Sequence, residues 1–331
     1  MITALQTLVR STDALVARLY LSLVKERPAL SCFLFHSLFR DESEMARNAV
    51  DPLDRTTVAH LRELVQYYIA QGYRFVSPAE ILAGLPAGEK VALITFDDGY
   101  YNNTLSLPVL HEFNAPALFF ISTNHVREQK CFWWDVLYRE LVAQGASAEQ
   151  VQSEALALKY LRTEEIESRL LARFGPDALR PRCDVDRPFT SAELRDFAAN
   201  PLVHLGNHTA NHAILTNYTT DEMRRQIGRC QEDLAEMTGL RADSIAYPNG
   251  AYSDAVLTAC ADEGIRLGFT VRPQKNRLPL PPGDGLLTLG RFVPHADASI
   301  TSQCRTYRSD LLLYGALRAA YLRIGRGRIT N

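Results

Sequence analysis

Apolar and polar positions alternate along the chain in a pattern that predicts short buried strands separated by amphipathic helices. Residues 91–96 form an unbroken apolar or β-prone run, VALITF, which is typical of a strand covered on both faces. Similar runs predict strands in SIAY, LGFTV and LGRFVP and at residues 30–37, 115–123 and 202–209. Helical spacing of apolar residues separates them, as at residues 56–71 and 220–238. This alternation predicts successive β-α units and a parallel sheet.

Residues 133–200 interrupt this alternation. Three helical patterns follow one another there with no predicted strand between them, in WWDVLYRELVAQ, AEQVQSEALALKYL and TEEIESRLLARF. The alternation of strands and helices resumes afterwards. We therefore interpret the segment as an α-helical insertion within one domain, residues 30–305, rather than as a domain of its own.

Amphipathic segments flank this domain. Residues 1–29 predict an amphipathic helix. Residues 306–331 predict a C-terminal amphipathic helix or tail with a basic end, formed by Arg318, Arg323, Arg326 and Arg328. Such helices usually pack on their own domain, and a minority lie at a membrane surface. The basic end fits docking to a partner helix or to anionic lipid, so peripheral association with a membrane surface is one expectation.

Composition narrows the classes of function. Of the 331 residues, 47% are hydrophobic and 22% are charged, which is ordinary for a globular protein. The formal net charge of -2 argues against a nucleic-acid partner. The six cysteines show no CxxC spacing, which argues against a disulfide framework or a thiolate zinc site. The N-terminal stretch lacks the features of a secretory signal, and no apolar run of about 18 residues predicts a membrane span, so we expect a cytoplasmic protein.

Two acids and two histidines follow predicted strands. Asp97 and Asp98 come directly after VALITF and precede Gly99, a segment typical either of a turn or of a site at the carboxyl edge of a sheet. His208 and His212 are four residues apart after another predicted strand, and on a helical turn this spacing presents both imidazoles on one face. Together these side chains predict a two-histidine, one-carboxylate metal site suited to hydrolysis. The alternative is a structural role without metal.

The segments TFDDGY, HTANH and AYPNG, in this order, resemble the first three motifs of the NodB-homology polysaccharide deacetylases, carbohydrate esterase family 4. The resemblance extends over about residues 30–300 and implies an α/β fold, a distorted (β/α) barrel of about seven strands. It implies that Asp97 is the general base. It also implies that the amide of Asn249, after Pro248, stabilises the oxyanion, and that one divalent ion, commonly zinc, is bound by Asp98, His208 and His212.

The chain departs from the family pattern at two positions. No arginine stands just before the third-motif proline, and Arg291 in LGRFVP is the candidate for orienting the base. The histidine that protonates the leaving amine has only a poor match, His295 in RFVPHADAS. His36 resembles a first-strand histidine that lines the pocket in relatives, and a place in the core is an equal alternative. Other side chains expected to contact substrate are Tyr100, Tyr247, Pro248, Trp133 and Trp134.

The two tryptophans allow two interpretations. One ring could stack against a sugar face, because pyranose C–H groups suit an aromatic surface. Alternatively, both rings anchor the helical insertion onto the barrel.

These features predict a metal-dependent hydrolase that removes the N-acetyl group from an acetamido sugar of a glycan or glycan precursor. In the mechanism that the resemblance implies, Asp97 takes a proton from the attacking water. The expected cytoplasmic location favours a precursor, one that could be lipid-linked and met at the inner membrane face. A deformylase or another amide hydrolase would use the same residues on a different acyl group. A catalytically silent carbohydrate-binding protein is the alternative from another class, and no feature indicates a protein partner.

Overall fold

The computed structural model describes residues 2–52, 55–296 and 298–309, and over these residues it contains nine strands and thirteen α-helices. The strands are Ala29–Phe35 (β1), Arg74–Phe75 (β2), Val91–Phe96 (β3), Ala117–Ile121 (β4), Val203–Asn207 (β5), Ser244–Ala246 (β6), Leu267–Phe269 (β7), Asn276–Arg277 (β8) and Arg291–Phe292 (β9). The helices are Ile2–Leu23 (α1), Glu42–Met45 (α2), Val58–Ala70 (α3), Pro78–Ala83 (α4), Leu107–Phe113 (α5), Thr123–Glu128 (α6), Trp133–Ala143 (α7), Ala148–Leu158 (α8), Thr163–Phe174 (α9), Ser191–Ala198 (α10), Thr220–Thr238 (α11), Asp254–Asp262 (α12) and Ile300–Arg308 (α13).

Seven parallel strands form a nearly closed barrel. Strands β3 to β7 pair in chain order, and β1 pairs with β3 on the other side. Strand β9 pairs in parallel with β1, and a bridge between Phe269 and Leu289 links β7 to the segment before β9, so the two edges of the sheet nearly meet. Strand β2 adds to β3, and β8 pairs with β1 in the antiparallel direction. The predicted distorted (β/α) barrel is therefore confirmed.

Alternate residues of β3 face two different apolar clusters, as the two-residue period of a strand requires. All six residues of the strand are buried. One row packs among side chains of the surrounding helices and consists of Ala92, Ile94 and Phe96. The other row, Val91 and Leu93, packs in a cluster built mainly from strand residues. Asp97 continues this second row by the same period, so the strand delivers its carboxylate on the side opposite to the helices.

The helical insertion is present between β4 and β5 and includes α7, α8 and α9. These helices share an apolar cluster with Tyr100, which lies directly after the exit from β3. Two details differ from the sequence prediction. The strand predicted at residues 115–123 ends at Ile121, and Thr123 begins α6. Strand β8 was not predicted because two residues carry no hydrophobic period.

Helix α1 packs against α13. The predicted basic segment with Arg318, Arg323, Arg326 and Arg328 lies outside the described residues. Its helical form therefore stays a prediction, as does the division at residues 29 and 305. Among the helices that the structure describes, none combines the length and the apolar character that a membrane span requires.

Gly268 in β7 leaves room for the main chain of a neighbouring segment. A Cβ atom there would lie 2.2 Å from the carbonyl oxygen of Leu287. Because that backbone cannot rotate away, we expect Gly268→Ala to lower the free energy of unfolding by about 1–3 kcal/mol. Urea denaturation measures the change, with Gly88→Ala as the control, since a Cβ at Gly88 meets nothing within 4 Å. Equal stability of the two variants would contradict the close approach.

Candidate active site

Side chains from several strands converge at the carboxyl edge of the barrel. Asp97 and Asp98 follow β3, and His208 follows β5. Parallel strands share their carboxyl edge, so side chains that leave these strands come together there. Arg291, the first residue of β9, reaches the same place from within the sheet.

Asp98, His208 and His212 form a compact group of three possible metal ligands. The Oδ1 atom of Asp98 lies 3.3 Å from Nε2 of His208 and 3.3 Å from Nε2 of His212. One donor atom from each residue lies within 4.8 Å of the others. The Asp98 and His208 side chains are buried, and that of His212 is 13% exposed. The three residues predicted as ligands are thus adjacent in space.

The Nε2 atoms of the two histidines both face Asp98. Nδ1 of His208 lies 2.8 Å from the carbonyl oxygen of Ala246, which can only accept, so Nδ1 carries a proton and Nε2 is the ring nitrogen left for a metal ion. Burial is the largest influence on the pKa of His212 and holds it well below its usual value, so this ring is neutral. The contact of His212 with Asp98 is therefore not an ion pair.

This donor set fits a divalent ion. Two neutral imidazole nitrogens and one carboxylate oxygen are ligands that ions such as zinc prefer, and three protein ligands leave a coordination position for substrate or water. The second carboxylate oxygen of Asp98, Oδ2, is buried and has no hydrogen-bond partner among the described residues. A bound cation would compensate this buried charge, which otherwise costs free energy.

The loop between the two histidines corrects one prediction. The HTANH segment is not a helical turn, because Thr209 and His212 have positive φ angles of 61° and 50°. Side chains hold the loop instead: the amide of Thr209 donates to Oδ1 of Asn207 at 2.8 Å, and the amide of Ala213 donates to Oγ1 of Thr209 at 2.7 Å. The imidazoles meet, with ring centroids 4.8 Å apart, but through a different backbone path.

Asp97 forms a buried ion pair with Arg291. Nη1 of Arg291 donates to Oδ1 of Asp97 at 2.6 Å, and Nη2 donates to Oδ2 at 2.8 Å. Further bonds from the guanidinium to the Thr270 carbonyl and the Thr95 hydroxyl, both 3.0 Å, fix its plane. Burial raises the pKa of Asp97, but the charge and the hydrogen bonds of Arg291 oppose it, and the pKa lies below its usual value. Asp97 is therefore an ionised carboxylate in a fixed orientation.

The DDG segment is both a turn and the source of two separately directed carboxylates. Asp98 and Gly99 have φ angles of 78° and 90°, and the Gly99 amide donates to the carbonyl oxygen of Asp97 at 3.0 Å. A Cβ at Gly99 would lie 3.2 Å from the side chain of Ile121, so a larger residue would be both crowded and strained. The turn directs Asp97 toward Arg291 and Asp98 toward the histidines.

The third motif borders the histidine pair. The carbonyl oxygen of Ala246 accepts from His208, and the turn that follows places Asn249 at a φ of 58°. Nζ of Lys159, directly after α8, donates to Oδ1 of Asn249 at 3.0 Å. The helical insertion thus contacts the turn whose amide is predicted to stabilise the oxyanion.

A family model described as polysaccharide deacetylase matches residues 84–268, more than half of the chain. The chain belongs to the polysaccharide deacetylase family. The resemblance carried by the three motifs is therefore confirmed, and the family supports deacetylation of a glycan. Residues 36 and 291 lie outside the matched segment.

Several solved structures have a similar fold. The Streptococcus pyogenes deacetylase PplD in complex with acetate is 18% identical, with 85% of this chain and 99% of that chain covered and a TM-score of 0.57. IcaB from Ammonifex degensii is 19% identical, with 86% and 99% covered and a TM-score of 0.56. The polysaccharide deacetylase BC0361 from Bacillus cereus is 16% identical, with 85% and 69% covered and a TM-score of 0.58. At these identities the similarity shows the fold alone. No curated protein matches the chain.

The aromatic residues of this deacetylase-family chain are more buried than the sequence predicted. Trp133 and Tyr100 are 3% and 1% exposed, so stacking of Trp133 on a sugar is not supported. The Tyr100 hydroxyl donates to Oδ2 of Asp135 at 2.6 Å and accepts from Nε1 of Trp134 at 3.0 Å. The Trp134 ring in turn lies against His212, with centroids 4.5 Å apart. Trp134 thus packs against His212 and is itself held by Tyr100 and Asp135. These contacts favour the interpretation that the tryptophans anchor the insertion.

Sequence reasoning gave no role to Asp135. Burial is the largest influence on Asp135 and raises its pKa well above the usual value, while the hydrogen bonds that the carboxyl group accepts oppose this rise. The main-chain amide of Asp51 donates to Oδ1 of Asp135 at 2.9 Å, which completes the network behind Trp134. An acid placed within an otherwise apolar helical face, as in WWDVL, is the signal that could have identified it.

Tyr247 and Pro248, which were expected to contact substrate, are both buried. The Tyr247 hydroxyl donates to the carbonyl oxygen of Leu287 at 2.9 Å. The internal bond fixes the side chain at the base of the third-motif turn. Direct substrate contact by Tyr247 is therefore not supported, and its described contact is structural.

The remaining histidines differ in position. His36, directly after β1, is half-buried and lies near enough for its charge to lower the pKa values of Asp97 and His212. The main-chain amide of His295 donates to Oε1 of Gln303 at 2.9 Å, and its role as general acid stays a prediction. His125 is fully buried, and burial lowers its pKa to about 3, so it does not supply a proton near neutral pH.

Proposed function

We propose that the protein is a metal-dependent hydrolase that removes the N-acetyl group from an acetamido sugar of a glycan or glycan precursor. One observation carries the proposal: the Asp98, His208 and His212 donors lie together beside an ionised carboxylate, Asp97, that Arg291 orients. Family membership supplies the class of reaction. In this proposal, the two neighbouring acids have different roles: Asp98 is a metal ligand and Asp97 is the base.

Asp98, His208 and His212 would hold one divalent ion, for which zinc is our proposal. When bound, such an ion polarises the amide carbonyl and lowers the pKa of water. Asp97 accepts the proton of the attacking water, because its carboxylate is ionised and is not part of the ligand group. Arg291 keeps Asp97 ionised and prevents it from rotating.

Hydrolysis of the substrate's amide bond needs two further contributions from the chain, one to the oxyanion and one to the leaving amine. We assign the amide of Asn249 to the oxyanion and His295 to protonation of the leaving amine, both on the motif resemblance. His36 is half-buried directly after β1, and we assign it to the pocket lining on the family resemblance. Hydrolysis then yields a carboxylic acid and the free amino sugar. A cytoplasmic or inner-membrane location remains a prediction from the sequence.

Metal content is the first test of the ligand group. We expect about one divalent ion per chain, lost in Asp98→Ala, His208→Ala and His212→Ala, because each variant removes one of three ligands. Elemental analysis of the purified proteins measures it. His111→Ala is the matched control, since this exposed histidine contacts Asn200 and lies outside the ligand group.

Two outcomes would contradict the proposal. Unchanged metal in His212→Ala would exclude that residue as a ligand. No metal after incubation with zinc, with no acid released from acetamido sugars, would favour the silent carbohydrate-binding alternative. Product analysis by mass spectrometry separates released acetate from formate and thereby tests the deformylase alternative.

A further inference from the structure

The outer face of α1 carries a row of exposed leucines. Leu15, Leu19 and Leu23 are spaced by four residues, which places them along one face of the helix, and they are 60%, 55% and 83% exposed. Val24, the next residue, is 41% exposed. These four are among nine large apolar side chains exposed in the described part of the chain, and the other five are dispersed between residues 69 and 271. The row is thus a local concentration.

The opposite face of α1 is fixed to the barrel. Asp13 and Ala17 are 2% and 0% exposed, and the helix packs against α13. Just beyond the helix, Glu26 accepts from Nη2 of Arg308 at 2.8 Å and lies 3.5 Å from Nζ of Lys90. The attachment of this inner face holds the leucine row outward.

The exposed charges within residues 12–27, the segment that carries the row, are all basic. Arg18 lies on the helix within the row, and Lys25 and Arg27 lie directly after it, and all three are exposed. The two acids in residues 12–27, Asp13 and Glu26, are buried or paired with cations. The surface therefore combines an apolar row with positive charge.

We propose that the face of α1 formed by Leu15, Arg18, Leu19 and Leu23, together with Lys25 and Arg27 just after the helix, binds the surface of an anionic lipid membrane. A helix that lies in the plane of the interface buries its apolar side at the acyl boundary and presents basic residues to acidic headgroups. A row of large apolar side chains left in water is unfavourable. The uniform positive charge beside the row favours an anionic lipid surface over an apolar protein groove. The binding is independent of the hydrolase proposal.

Vesicle flotation of the full chain tests the proposal. We expect it to float with phosphatidylglycerol vesicles and not with phosphatidylcholine vesicles, and added salt should weaken the binding. The triple variant Leu15→Ser, Leu19→Ser, Leu23→Ser should bind at least about 10-fold more weakly. Replacing Arg18, Lys25 and Arg27 with Gln should reduce binding about five-fold for each charge removed.

A matched control removes exposed leucines elsewhere. Leu156→Ser with Leu240→Ser changes side chains that are 53% and 46% exposed, and this double variant should bind like the native chain. Thermal unfolding verifies that each variant is folded. Failure of the native chain to float, or equal loss in the control, would overturn the proposal.

Two other occupants of the leucine row give distinct results. If a second copy covers the row, sedimentation shows a dimer that the triple leucine variant abolishes and vesicles do not bind. If residues 310–331 cover it, a thiol reagent fails to label Leu19→Cys without lipid, in a Cys183→Ser background that removes the exposed native thiol. The lipid proposal requires labelling that anionic vesicles block. A dimer of this kind, or a Leu19→Cys thiol that is not labelled without lipid, would overturn the lipid proposal.

Discussion

Asp97→Asn is expected to retain bound metal and to lose at least about 100-fold in turnover. The substitution removes the proton acceptor and leaves the ligand group intact, since Asp98, His208 and His212 are separate side chains. An uncharged amide cannot take the proton of the attacking water at neutral pH. The measurement pairs steady-state hydrolysis of an acetamido sugar with elemental analysis of the same preparation.

Asp98→Asn is the matched comparison for this variant, because it makes the same chemical change at the neighbouring acid. It should lose both metal and turnover. Since Asp97→Asn also leaves the Arg291 guanidinium buried without a counter-charge, thermal unfolding must show that the variant is folded at the assay temperature. Loss of metal from folded Asp97→Asn would reverse the division of roles between the two acids.

Replacing Arg291 with Met should destabilise the protein by about 3–5 kcal/mol at neutral pH. Both partners of the pair are buried, with Arg291 0% and Asp97 3% exposed, so the variant leaves an uncompensated carboxylate in the interior. The pKa of Asp97 also rises, because burial, already the largest single influence on it, is no longer opposed by the charge and hydrogen bonds of Arg291. Urea denaturation across a pH series measures the stability.

The sign of the pH dependence follows from the direction of each pKa change. In the native protein the pKa of Asp97 is lowered, so the pair contributes stability above the ordinary value of 3.8 and loses it as pH falls through the folded pKa. In Arg291→Met the pKa is raised, and the folded state favours the protonated acid. The destabilisation should therefore be largest at neutral pH and shrink as the pH falls toward 3.8.

The pH dependence of catalysis should show the raised pKa of Asp97 in Arg291→Met independently of stability. The acid limb of kcat/KM is expected to move to higher pH in Arg291→Met, since more of Asp97 is protonated at a given pH. Arg308→Met is the control, because it breaks a part-buried ion pair with Glu26 at a distance from Asp97. It should lower stability without moving the acid limb. An unshifted limb in Arg291→Met would mean that Arg291 does not set the pKa of Asp97.

The sequence was sufficient to predict the barrel and the group of acids and histidines. Strands such as β3 are predictable because a strand buried on both faces needs a continuous apolar run. The polar residues that directly follow such a run are then expected at the carboxyl edge of the sheet. Asp97, Asp98 and His208 follow two such strands. Arg291 was proposed from its place at a late strand, 194 residues from its partner, and parallel pairing of β9 with β1 brings the two together.

The backbone between the histidines could not be predicted from spacing alone. A separation of four residues is compatible with a helical turn and also with the loop that Thr209 and His212 form at positive φ. That loop depends on side-chain bonds from Asn207 and Thr209, which a pattern of apolar positions does not encode. The placement of Tyr100 likewise involves side-chain bonds to Asp135 and from Trp134, both in the helical insertion, which the apolar pattern does not encode.

The separation of Asp97 and Arg291 along the chain has a consequence for synthesis on the ribosome. The three ligand candidates are complete once residue 212 has been made, whereas Arg291, the cation paired with the proposed base, arrives only with β9. A nascent chain that lacked β9 would carry the ligand side chains but would leave Asp97 without its guanidinium partner. Alignment of the proposed base is thus delayed until β9 joins the barrel, and any hydrolytic activity would be acquired only after β9 has been made rather than with the ligand candidates.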